Sequence, residues 1–71
     1  MSIRVGATVS WRRGAEVVEG VVRAIHPRPV VRRINGVRMA RVGTPEDPAY
    51  EIEQRDGSAT LKLHSEVEHT A

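Results

Sequence analysis

The chain has 71 residues, enough for one domain; at this size folding buries only about 60% of the surface the unfolded chain exposes, which excludes a deep substrate cavity and places function on the surface. A hydrophobic fraction of 39% beside 28% charged residues is ordinary for a globular domain, no apolar run is long enough to span a bilayer, and the absence of cysteine excludes disulfides and thiolate metal sites. Net charge is only +2, yet Arg28, Arg32, Arg33, Arg38 and Arg41 crowd five cations into residues 28 to 41 without one acid, whereas residues 46 to 68 hold seven acids against Arg55 and Lys62.

Met1 to Arg4 carries no apolar leader or small-residue cleavage site, so a loose N-terminus and a cytoplasmic location are expected. Val5 to Trp11 predicts a first strand with Val9 and Trp11 on one face and Thr8 and Ser10 on the other. Arg12-Arg13-Gly14-Ala15 turns the chain into a longer strand, Glu16 to His26, in which Gly20 marks a bend or bulge. Alternation there sends Val18, Val22 and Ala24 one way and Val17, Val21, Arg23 and Ile25 the other.

Pro27 and Pro29 interrupt the ladder, since neither donates a backbone N–H. A hairpin follows, because Val30 to Ile34 and Val37 to Val42 flank Asn35-Gly36, the dipeptide best suited to a two-residue type I′ turn. That turn sets Ile34 opposite Val37, Arg32 opposite Met39 and Arg33 opposite Arg38. Like charges so opposed are unfavourable, so the last pair should splay into solvent or meet an anion.

Gly43 to Pro48 connects to a closing hairpin, with Thr44-Pro45 resembling the start of a single helical turn. In Ala49 to Gln54, Tyr50 and Ile52 alternate with Glu51 and Glu53; beyond the reversal at Arg55-Asp56-Gly57-Ser58, Leu61 and Leu63 flank Lys62. One buried and one wet face are expected. His64 to Val67 suits a terminal 3₁₀ turn, and residues 69–71 are expected to fray. Val and Ile dominate the apolar residues, against one Trp, one Tyr and no Phe, which favours strands over helices. About five short strands in so small a chain argue for an all-β domain curled into an SH3-like barrel.

The order Gly43-Thr44-Pro45-Glu46-Asp47-Pro48-Ala49-Tyr50, then Ile52-Glu53-Gln54, Asp56-Gly57, Leu61-Lys62 and Ser65-Glu66, resembles the hypervirulence-associated TUDOR domain family. Val9-Ser10-Trp11, Glu19-Gly20-Val21-Val22, Ile25-His26-Pro27 and Asn35-Gly36 fall in the same order, so the resemblance runs from about Val5 to Glu68. It implies a single Tudor-type barrel over residues 5–68. Because well-studied Tudor domains hold methylated Lys or Arg in a cage of aromatic rings, it also directs attention to Trp11 and Tyr50. Both fall on the apolar phase of their strands, where core packing is the favoured role and a place near the barrel rim the secondary one.

Catalytic chemistry is not legible. His26, His64 and His69 lack metal-site spacing, the serines lack a nucleophile elbow, and no phosphate loop occurs, so neither enzyme activity nor a cofactor is expected. Arg32, Arg33, Arg38 and Arg41 are the candidate contacts with a partner or anion, with Trp11 and Tyr50 second. The favoured function is protein interaction or self-association, the basic hairpin of one copy meeting the acidic hairpin of another. Backbone contact with nucleic acid through residues 28–41 is the alternative.

Overall fold

The computed structural model describes residues 3–70, and within them the chain is all β apart from one 3₁₀ turn. The strands are β1 (Thr8–Arg13), β2 (Glu16–His26), β3 (Pro29–Ile34), β4 (Val37–Val42), β5 (Ala49–Gln54), β6 (Ala59–Leu63) and β7 (Glu68–His69), with the turn at His64–Glu66 before β7. They form a five-stranded sheet in the order β6-β5-β2-β1-β7 and a separate two-stranded sheet, β3-β4. All pairings are antiparallel. Seven strands therefore replace the expected five. The curled sheet does not close into a barrel: β4 packs against β6, but among the described residues no ladder joins the two sheets.

Expected faces hold where the turn fixes them. Val9 and Trp11 are buried on β1 while Thr8 and Ser10 are half-buried opposite, although the strand starts later than predicted because Gly6, at φ 95°, turns the chain before it. Asn35 (φ 52°) and Gly36 (φ 76°) make the two-residue turn, and Ile34↔Val37, Arg32↔Met39 and Arg33↔Arg38 all pair as the dipeptide dictates.

Other expectations are corrected. The irregularity in β2 lies between Val22 and Ala24, not at Gly20. The extra residue reverses the alternation, so Val22 and Ile25 share a core instead of lying on opposite faces. Gly20 has another reason to be glycine: a Cβ there would sit 2.9 Å from the Glu53 carbonyl oxygen and collide with Ile52 Cγ2 on β5. Thr44-Pro45 starts no helix; Thr44 and Asp47 exchange backbone hydrogen bonds across a tight loop, and the Thr44 hydroxyl accepts the Asp47 N–H at 3.0 Å. The ends are also tied down. Ile3 is buried in the main core, His69 pairs with Val9, and the Thr70 N–H donates to Thr8 O at 2.9 Å. The expected looseness of Met1, Ser2 and Ala71 lies outside the described residues.

The largest correction concerns the closing hairpin. Its reversal occupies Arg55 to Ser58, with Glu53 paired to Ala59, and that register sets Ile52 opposite Thr60 but Glu51 opposite Leu61. Cross-strand partners share a face, so Leu61 lies on the side of Glu51, away from Tyr50 and Ile52. Both faces are used. Tyr50 and Ile52 pack with Ile3, Val9, Trp11 and Val22 in one core; Ala49 and Leu61 pack with Val30, Ile34, Met39 and Leu63 in a second, beneath the β3-β4 hairpin.

Candidate functional site

Pairing divides the residues of β3-β4 into two faces. Val30, Ile34 and Met39 point at the second core together with Arg32 and Arg41; Pro29, Val31, Arg33, Arg38, Ala40 and Val42 lie on the other side, and all six are exposed. The four named arginines therefore separate into two pairs with different surroundings.

The inward pair fastens the hairpin to the larger sheet. Arg32 Nε lies 3.5 Å from Glu51 Oε2, and Arg41 Nε donates to Glu66 Oε1 at 3.2 Å. Glu51 also meets His26 Nε2, 2.5 Å from Oε2, so it bridges β2, β3 and β5, although its strand phase put it on the expected wet face. Glu66 accepts the Leu63 N–H at 2.7 Å on the oxygen that meets Arg41. Partial burial works to raise the Glu66 pKa, but the Leu63 hydrogen bond and the Arg41 guanidinium outweigh it and hold the carboxyl below its ordinary 4.5.

The outward pair has no such anchor. Arg33 and Arg38 stand directly opposite one another, and neither forms an ion pair among the described residues. Behind them, towards the base of the hairpin, Val31 is 47% and Val42 70% exposed. Large exposed β-branched residues on a face that no described element covers make an apolar patch with a cationic tip. Alternation in the sequence was the available signal for that patch; attention to the arginines alone missed it.

The acidic half of the molecule is largely self-engaged. Arg23 Nε donates to Glu53 at 2.8 Å, Asp47 accepts from the Ser65 N–H and hydroxyl, and Asp56 accepts from the Ser58 N–H and hydroxyl. Those Ser58 bonds lower the Asp56 pKa.

Trp11 and Tyr50 occupy the main core, as their phase on the strands favours, with only 6% and 2% exposure. Each ring also meets a polar neighbour. The Tyr50 hydroxyl and His64 Nδ1 lie 2.8 Å apart, and Lys62 Nζ stands 5.9 Å from the Trp11 ring centroid. Burial raises the Tyr50 pKa, with Asp47 adding to it. A cleft of about 350 Å³ opens above Tyr50 and His64, walled by Ile3, Ile25 and three prolines. Among the described residues no cluster of three or more His, Asp or Glu is placed to hold a metal ion, and no helix is long and apolar enough to cross a membrane.

No curated protein and no solved structure matched the chain. The family model described as "Hypervirulence associated proteins TUDOR domain" matches residues 6–67. That match takes in every strand from β1 to β6 and the 3₁₀ turn, and the chain belongs to the hypervirulence-associated TUDOR domain family.

Proposed function

We propose that this domain, with residues 5–68 as its working unit, is a non-catalytic cytoplasmic module that binds a protein partner through the outward face of β3-β4. One observation carries the reading: Arg33 and Arg38 are opposed across the hairpin with no carboxylate of the described chain beside them. Two facing guanidinium groups repel, and an external anion relieves that repulsion. Val31 and Val42 add apolar area that a protein surface can cover. The SH3-like architecture expected of a Tudor domain belongs to the same proposal, supported by β4 lying against β6.

A partner of different sequence is favoured over a second copy. Glu51, Glu53 and Glu66, the carboxylates that a neighbouring copy would offer from its acidic half, already hold Arg32, Arg23 and Arg41 within their own molecule. Recognition of a methylated cation has no support in the aromatic residues, since Trp11 and Tyr50 are buried.

Contact with a nucleic-acid backbone is the second reading, favoured by the same unneutralised arginine pair. The exposed valines and the burial of Trp11 and Tyr50 speak against it. Fluorescence anisotropy with single- and double-stranded oligonucleotides across a salt series separates the two. The protein reading predicts no binding at low salt. Binding that weakens steeply with salt and vanishes in an Arg33→Glu/Arg38→Glu variant would replace it with the second.

A further inference from the structure

We infer that the free edge of β3 accepts an extended segment of another protein as an added strand, and that the segment is acidic beside Arg32 and Arg33 and apolar beside Val30 and Val31. This rests on the interaction-module reading and specifies the chemistry of its partner.

The backbone supplies the first argument. In a two-residue hairpin the residues flanking the turn form a hydrogen-bonded pair, here Ile34 and Val37, and antiparallel ladders alternate such pairs with non-bonded ones. Arg32-Met39 and Val30-Arg41 are therefore bonded, while Val31 and Arg33 turn their N–H and C=O groups away from β4. Two side-chain contacts agree with this phase. Arg32 Nη1 donates to Val31 O, and Arg41 Nη1 donates to Ala40 O, each at 2.9 Å. Both carbonyls belong to non-bonded pairs. The N–H groups of Val31 and Arg33 have no backbone acceptor among the described residues, and β3 pairs with no strand but β4. β4, in contrast, lies against β6.

Charge selects the occupant. Arg28, Arg32 and Arg33 place only cations on and just before β3, all of them exposed. A second copy aligned edge to edge would crowd the arginines of both copies onto one short ladder with no acid between them, and edge charge of one sign protects natural edges from self-pairing. A strand with two successive acids followed by two aliphatic residues suits both the arginines and the exposed valine when it runs antiparallel to β3. Its first carboxylate faces Arg33, unpaired among the described residues, with Arg38 next in line; its second stands beside Arg32 and adds to the contact that Glu51 already makes, and its aliphatic residues lie along exposed Val31 and the edge of buried Val30. Ladder hydrogen bonds to the open edge then provide affinity, and the charges fix register.

The test titrates the full chain, labelled with ¹⁵N, with a short capped peptide having the core Glu-Glu-Val-Val, following amide shifts and hydrogen exchange at Val31 and Arg33. The expected result is shift and slowed exchange at those two amides, lost with a Lys-Lys-Val-Val core. It is also lost with a Glu-Glu-Val-Val peptide N-methylated on its ladder-forming amides, a control that needs no change to the protein. Arg33→Glu/Arg38→Glu should weaken binding about tenfold or more while leaving the rest of the spectrum intact. Equal binding by the N-methylated peptide, binding that leaves Val31 and Arg33 exchanging freely, or no binding of any peptide overturns the added strand while the module reading stands. Oligonucleotides moving these same amides, with every peptide inert, would overturn both.

Discussion

The five-stranded sheet and the β3-β4 hairpin put similar residues to opposite use. In the sheet, Val9, Val22 and Ile52 have no exposed surface and Gly20 is held so closely against β5 that a methyl group does not fit. In the hairpin only Val30 is buried, while Val31, Val37 and Val42 stand in solvent. The same β-branched residues serve stability in one region and leave an uncovered surface in the other. The hairpin is joined to the sheet by one small core and two half-exposed ion pairs, Arg32–Glu51 and Arg41–Glu66, each contributing about 0.5 kcal/mol. Damage to the sheet should therefore cost folding, and damage to the outer hairpin face should cost binding alone.

The main core is the most sensitive part of the sheet. Ile52→Ala, which opens a cavity between Val22 and Tyr50, should lower stability by about 3–4 kcal/mol in urea unfolding, a large part of what so small a domain possesses. Gly20→Ala should cost about 2 kcal/mol, because Ile52 can shift but the Glu53 carbonyl cannot. An unchanged midpoint in Gly20→Ala would refute the close approach. Gly36→Val should cost about 1–2 kcal/mol through its φ of 76°, with spectral changes concentrated in β3 and β4.

The seam between the two regions should respond more weakly. The folded Glu66 carboxyl titrates below 4.5, its ordinary value, so folding binds fewer protons there. The stability it contributes is complete above about pH 4.5 and declines as pH falls through the folded value. Glu66→Gln should therefore differ from the parent by about 0.5 kcal/mol at neutral pH, with the difference shrinking in acid. A difference that grows in acid would show that Arg41 and Leu63 do not hold the ionised form.

What the residues disclosed in advance depended on whether local chemistry fixed the register. Asn35-Gly36 allows one turn geometry, and from it every partner across β3-β4 follows, including the opposition of Arg33 to Arg38. Arg55 to Ser58 allows several reversals, and whether Leu61 joins Ile52 or Glu51 depends on one residue of loop length that propensity does not specify. The second core stayed hidden for that reason, and with it the clasping role of Glu51. Gly20 was ambiguous in a similar way, because a strand glycine signals either a bulge or a close neighbour and only the packed partner decides. The phase of Trp11 and Tyr50 was readable from alternation. The split of the arginines into anchored and free pairs was not, since it depends on which face meets the second core.

The claim that the outer hairpin face is the contact surface is tested most directly by photo-crosslinking in cells that express the protein, with the reactive group placed at Val42 and, as a control, at the equally exposed Val17 of β2. The account predicts protein adducts from Val42 that disappear in the Arg33→Glu/Arg38→Glu background, and none of matching mass from Val17. Equal adducts from both positions, or adducts at Val42 that consist of nucleic acid, would contradict it.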